Sequence, residues 1–186
     1  MEFSVKDVVS VHSGLYAKPN ISGNAIYLQA NMFNDFGDLY EGITPNVTID
    51  TSVYKHLLIE GDVIFAAKGV YNFAIKYNSD IGPAVASSTF LVLRPNRQNL
   101  LPQYLVWFLN HPISQDYLKS QAKGSSILSI SKKILEKMII PVPSLEKQQQ
   151  ILEVHQLRNR EKKIMHRLEE LREQLIQGQL LKLAQE

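Results

Sequence analysis

The sequence contains no cysteine. Disulfide scaffolds, thiol nucleophiles and cysteine-ligated zinc or iron–sulfur centres are thereby excluded. No apolar run approaches the roughly 20 residues that a membrane span needs. The first residues, Met1-Glu-Phe-Ser-Val-Lys-Asp, show no signal-peptide pattern. A cytoplasmic protein without a membrane partner is expected. An excess of either charge is also missing, since 20 Lys and Arg face 18 Asp and Glu, for a net charge of +2. This is no polycation, and any nucleic-acid binding must rest on a local patch. What is present is ordinary globular composition: 45% hydrophobic and 20% charged in 186 residues. That suits one domain and an appendage.

Two further absences are local. No aromatic residue follows Tyr117 and no proline follows Pro143. Beyond Pro143 the chain is mostly Glu, Gln, Lys, Arg, Leu and Ile, which are strong helix formers. A boundary is therefore expected there, with a globular domain over residues 1–143 and a helical segment over residues 144–186. Within the first part, short β-branched or aromatic stretches bounded by Gly, Pro, Asn or Asp predict strands. They are Ala25–Gln29, Val47–Ile49, Leu57–Ile59, Asp62–Ala66, Asn72–Tyr77, Ala86–Arg94 and Met138–Val142. Leu101–Asn110 predicts a helix with Pro102 in its first turn, and Leu105, Phe108 and Leu109 sharing a face. A second helix is expected from Ser114 to about Ala122. Helices inserted among scattered strands indicate an α+β fold.

Glu146 to Gln177 reads as one helix of roughly 48 Å, with Ser144 as N-cap and Gly178 at the position that stops it. Val154, Leu157, Ile164, Leu168, Leu171 and Leu175 follow a 3–4 spacing that Glu161 interrupts. This is a coiled-coil seam with one polar defect. A helix that long outreaches a small domain, so the seam is expected to meet another helix.

Catalytic signatures are missing. There is no glycine-rich cofactor loop, no Asn/Asp-Pro-Pro-aromatic tetrapeptide, no Walker-type loop and no Gly-x-Ser-x-Gly elbow. The strand ending Phe65-Ala66-Ala67-Lys68 has the lysine of an acid-x-Lys nuclease motif, but alanine stands where the acid would be. The five histidines, His12, His56, His111, His155 and His166, form no pair at helical metal-ligand spacing. No enzyme and no metal site is expected.

Three stretches point instead to nucleic acid. In Lys123–Met138, Gly124-Ser125-Ser126 is a donor-rich loop, and Ser129 or Ser131 can cap a short helix leading to Met138; with Ser131 as the cap, its first residues are Lys132 and Lys133. Lysines there oppose the helix dipole by about 0.3–1 kcal/mol each. Either a phosphate reverses that sign, or two solvated lysines tolerate a small penalty. Lys68-Gly69 ends a buried strand and places a cation at a turn, for phosphate, for a base edge, or merely as a strand end. Gln29 and Asn31 lie in a polar loop, and both residue types can pair with adenine.

Together these stretches resemble the specificity subunit of type I restriction–modification systems. Gly61-Asp-Val-Ile-Phe-Ala-Ala-Lys-Gly resembles the family's Gly-Asp-Ile-Leu-(Phe/Val)-x-x-Arg/Lys-Gly strand. Ala84-Val-Ala-Ser-Ser-Thr-Phe-Leu-Val-Leu-Arg-Pro resembles its next core strand, and Pro102-Gln-Tyr-Leu-Val-Trp-Phe-Leu its helix. Ile139-Ile-Pro-Val-Pro-Ser-Leu-Glu-Lys-Gln-Gln-Gln-Ile resembles the junction into the family's long helix and is the most specific match. The usual member has two target-recognition domains and two such helices, whereas this sequence carries one of each.

The resemblance implies a globular target-recognition domain that binds one half of a split site in double-stranded DNA. It implies a helix that pairs antiparallel with a second such helix, most simply another copy, and docks adenine methyltransferase subunits. S-adenosylmethionine, ATP and magnesium would belong to those partners and to a restriction subunit, with no cofactor held here. Two other readings stay open at this point: a helical scaffold that does not bind DNA, and a stand-alone repressor.

Overall fold

A computed structural model describes residues 1–34, 37–69, 71–122 and 128–185. Val63, Ile64, Phe65 and Ala66 are all fully buried, because the strand they form has a partner on each edge and side chains packed on both faces. Around it the elements run in the order β1 (Glu2–Ser4), α1 (Val5–Val8), β2 (Val9–Ser13), β3 (Ile26–Leu28), α2 (Thr51–Tyr54), β4 (Val63–Ala66), β5 (Lys68–Gly69), β6 (Ala74–Lys76), β7 (Ala84–Ala86), β8 (Phe90–Pro95), α3 (Pro102–Asn110), α4 (Pro112–Gln121), β9 (Leu128–Ser129), α5 (Lys132–Lys137), β10 (Ile139–Pro141) and α6 (Leu145–Leu183).

The main sheet is antiparallel, in the order β2-β8-β4-β6. Three two-stranded ladders, β1-β10, β3-β7 and β5-β9, surround it, and only β3-β7 is parallel. Phe33, Phe73 and Phe90 meet edge to face at centroid distances of 6.0–6.3 Å against the core side of the sheet. The exposed edge of β6 is closed by Asn110. Its side chain accepts from Ala74 N at 2.7 Å and donates to Ala74 O at 2.8 Å, in place of a further strand. The α+β class is the one that the sequence predicts.

Two expected strands are reduced to single bridges and a third is divided, each for a local reason. Val47–Ile49 contributes only the bridge Ala25–Val47, because side-chain amides take over its neighbourhood. Asn46 Oδ1 accepts from Tyr27 N, and Asn24 Oδ1 accepts from Ile49 N, both at 2.8 Å. Leu57–Ile59 is likewise only a bridge, to Val85, since Asp62 Oδ2 accepts from Ile59 N at 3.0 Å. The expected strand Ala86–Arg94 is two strands in different ladders. Phe90 N donates to Ser87 O at 2.9 Å, and the Ser87 and Thr89 hydroxyls meet at 2.7 Å, which folds Ser87-Ser88-Thr89 into a turn. The helices come closer to expectation. Pro102 begins α3, which buries Tyr104, Leu105 and Leu109 and leaves Phe108 half-buried. In α4, His111 is the cap.

The chain divides into two compact units, Met1–Gln148 and Gln149–Glu186. The base of α6 belongs to the first. There Gln148, fully buried, accepts from Leu101 N at 2.9 Å and donates to Asn99 O and Pro143 O at 2.7 and 2.9 Å. One correction concerns the far end. Gly178 does not stop α6, which runs on to Leu183. Gly178 has no positive φ, and the flanking Leu and Lys residues are helix formers that outweigh a glycine cost of about 1 kcal/mol. At 39 residues the helix is roughly 58 Å long.

Candidate nucleic-acid interface

The end of β4 organises a polar rim. Ala67 N and Lys68 N both donate to Thr89 O, at 2.9 and 3.2 Å, so the chain leaving the core is tied to the Ser87–Thr89 turn. One residue on, Lys68 pairs with Ser129 in the β5-β9 ladder, and Ile130 N donates to Ala67 O at 2.8 Å. Lys68 and the segment that leads into α5 are therefore neighbours, although the sequence presents them as separate candidates. Gly69 has φ +145°, where an L side chain would be strained, and its Cβ would meet almost nothing. The glycine is needed for the backbone path and not for space.

Ser131 caps α5, accepting from Ile134 N at 3.3 Å, and this sets Lys132 and Lys133 in the first turn. Both are exposed. Lys132 lies 3.6 Å from the Glu136 carboxylate, so part of its charge is answered within the helix. Lys68 is exposed as well, and among the described residues no carboxylate is paired with it or with Lys133.

Leu28 O accepts from Ser87 N at 2.9 Å, which brings the loop after β3 to the same turn. Gln29 is half-buried and begins a short 3-10 turn, while Asn31 within that turn is exposed. Gly14 closes the other side. Leu15 N donates to Ala86 O at 2.8 Å, and a Cβ on Gly14 would lie 2.0 Å from Ser87 O. No other residue type fits there without moving the turn. Thus Gln29, the Ser87–Thr89 turn, Lys68 and Ser129 are strung together by backbone bonds at one end of β4. Gly124, Ser125 and Ser126 lie outside the described residues.

Sequence reading passed over three polar groups on or beside this rim: Ser88, exposed at the tip of the turn, and His12 and Ser13, exposed at the end of β2. The signal for the turn was present, in three consecutive hydroxyl residues interrupting an apolar strand. The seam residues Val154, Leu157, Ile164, Leu168, Leu171 and Leu175 all lie exposed on α6. Among the described residues no group of three or more His, Asp or Glu could hold a metal ion, and no helix is long and apolar enough to cross a membrane.

Two acid–base perturbations, at Glu60 and Arg94, lie at the opposite end of β4 and are structural. The Lys76 ammonium and the Ser79 amide and hydroxyl hold the Glu60 carboxyl down at about 2. The bond to Asp62 raises Arg94.

An antiparallel sheet with a lysine-bearing polar rim thus precedes a long exposed helix in this chain. The chain belongs to the type I restriction modification DNA specificity domain family, whose pattern it matches over residues 1–183. It is 37% identical over 70 residues to the type I restriction enzyme MjaVIII specificity subunit of Methanocaldococcus jannaschii, a match covering 38% of this chain and 16% of that protein. Its fold is similar to the HsdS subunit of Thermoanaerobacter tengcongensis, with TM-score 0.59 and 19% identity over 87% of this chain and 37% of that one. The type I restriction–modification S subunit of M. genitalium is also similar, with TM-score 0.53 and 15% identity over 88% and 40% of the two chains. The chain thus spans about two fifths of the solved subunits it resembles, and less of the curated relative.

Proposed function

We propose that this chain supplies the sequence address for adenine methylation, and for cleavage where a restriction subunit joins, while partner subunits perform the chemistry. The carrying observation is that backbone bonds tie exposed Lys68 to Thr89 and to Ser129, two residues before the cap of the helix that begins Lys132-Lys133. In this reading the lysines take phosphates, and Gln29 and Asn31 approach base edges. The chain holds no cofactor. S-adenosylmethionine, ATP and magnesium sit in the methyltransferase and translocase partners.

The exposed seam of α6 pairs with the seam of a second copy as an antiparallel coiled coil. Parallel pairing would set both globular domains at one end. Antiparallel pairing separates them along a rod of roughly 58 Å, enough to span half-sites about 34–36 Å apart. Two identical chains associate about a twofold axis, which then coincides with that of the DNA.

Methylation mapping of DNA modified by this chain with its methyltransferase tests the reading. The expected mark is an interrupted palindrome. An asymmetric bipartite site would overturn the homodimer, and failure of the complex to be retained on any duplex at low salt would overturn DNA recognition itself.

A further inference from the structure

Two tyrosines stand in water near the end of β4. Tyr16 is 75% exposed and Tyr71 79%, so neither ring contributes to the core. The backbone that carries each is nonetheless fixed. The buried Tyr27 donates its hydroxyl to Leu15 O at 3.0 Å and accepts from Ala17 N at 3.3 Å, which clamps the chain on both sides of Tyr16. Leu15 in turn bridges Ser87, in the turn to which Ala67 and Lys68 are bonded through Thr89. On the other side, Asn72 donates its amide to Ala66 O at 2.8 Å, and Ala66 N donates to Phe73 O at 2.8 Å. The chain just after Tyr71 is thereby fastened to the last residue of β4.

Each tyrosine also has an exposed lysine close to it in sequence, Lys18 two residues after Tyr16 and Lys68 three before Tyr71. Among the described residues no carboxylate pairs with either lysine. A flat ring near an unanswered cation complements nucleic acid, which presents flat bases beside anionic phosphates. A tyrosine on a fixed backbone has only two side-chain torsions left to lose, so little of its contact energy is spent on ordering.

We propose that Tyr16 and Tyr71 are the apolar contacts of the DNA interface, each laying its ring against a nucleobase while the neighbouring lysine takes a phosphate. This rests on the DNA-recognition reading above and extends it to a division of labour. The lysines supply affinity that salt screens and sequence does not alter. The rings supply affinity that needs a base in register and releases no counterion, so salt leaves it unchanged.

The test is fluorescence anisotropy of the complex with the methyltransferase, on a duplex carrying the mapped methylation site, over a salt series. Tyr16→Ala and Tyr71→Ala are each expected to weaken binding about 10-fold at every salt concentration, with the slope against log salt unchanged. On a duplex of scrambled sequence the loss is smaller. Tyr16→Phe and Tyr71→Phe keep the native affinity, because the ring makes the contact and the hydroxyl does not. Native affinity in the alanine variants overturns the proposal and leaves DNA recognition standing. A flattened slope in them, or an equal loss in the phenylalanine variants, overturns it as well. A native complex that binds no duplex overturns DNA recognition and this proposal with it.

Nitration of the native complex by tetranitromethane, mapped by mass spectrometry, depends on no variant folding. Both rings should react in the DNA-free complex and become protected when the duplex is added. Reactivity that the duplex leaves unchanged overturns the contact. Protection already complete on adding the methyltransferase without DNA assigns the rings to that partner and also overturns the proposal.

Discussion

Asp62 and Arg94 meet in a bidentate ion pair, with Nε to Oδ1 and Nη2 to Oδ2 both at 2.7 Å. The Asp62 side chain is 0% exposed and that of Arg94 41%. The carboxylate also accepts from Ile59 N, so it ties β8, β4 and the preceding turn together. Removing Arg94 leaves a buried carboxylate with one backbone donor. Breaking such a pair costs about 3–5 kcal/mol, and the lower end is expected because water reaches the guanidinium site. Arg94→Met should lower the denaturant midpoint with no change in slope. Asp62→Asn should cost less, since it leaves no buried charge. Equal, negligible losses would show that the pair is not structural.

DNA affinity should be mostly electrostatic. Every phosphate that a lysine neutralises adds about 0.9 to the steepness of the salt dependence, through the counterion it releases. Lys68→Ala, and Lys132→Ala with Lys133→Ala, should weaken binding to all duplexes alike and flatten that slope by about one phosphate per lysine. The effect at Lys132 should be the smaller, because Glu136 already answers part of its charge. Fluorescence anisotropy over a salt series, with the methyltransferase present, measures this. An unchanged slope would remove these lysines from the interface.

Glu60 gives a pH signature. Its carboxyl titrates at about 2 in the folded chain, against an ordinary value of 4.5, chiefly because it accepts from Lys76. A depressed carboxyl stabilises the fold above its unfolded value, and that contribution is lost as pH falls from about 4.5 towards 2. Lys76→Met should move the Glu60 midpoint, read by NMR titration, part of the way back, with the Ser79 bonds retained. It should also make acid unfolding shallower over that window. A midpoint at the ordinary value in the native chain would refute the assignment.

The elements written in strong local patterns were legible in the sequence. The apolar run Val63–Ala66 and the helix opened by Pro102 lie where residue type places them, and the cap of α5 is Ser131, one of the two serines that the pattern offers. What was not legible depends on distant partners. Glu2–Ser4 is a strand only because Ile139–Pro141 runs beside it, and nothing local marks it. Asn24, Asn46 and Asp62 take amides that the pattern assigns to strands. Gly178 shows the reverse error, since a stop signal is weak against flanking helix formers. On the candidate rim, Lys68 and Lys132 were identifiable one at a time. That Lys68 pairs with the segment leading into the helix of Lys132 was not, because the Lys68–Ser129 ladder joins segments distant in sequence.

The seam should govern assembly and leave the folded unit alone. Leu168 and Leu171 are 39% and 47% exposed on the single chain, and neither belongs to the compact unit that ends at Gln148. In a paired helix both would be covered. A carboxylate forced into that apolar layer must be desolvated without a partner, which costs several kcal/mol per group. Two such groups on each chain exceed what a seam already weakened at Glu161 can offset. On the single helix the same glutamates face water, and Glu is a good helix former. Leu168→Glu with Leu171→Glu should therefore yield a monomer whose circular dichroism and unfolding midpoint match the native chain. Light scattering that still reports a dimer would exclude the seam as the interface. A monomer with a lowered midpoint would instead mean that the helix and the recognition domain fold as one unit.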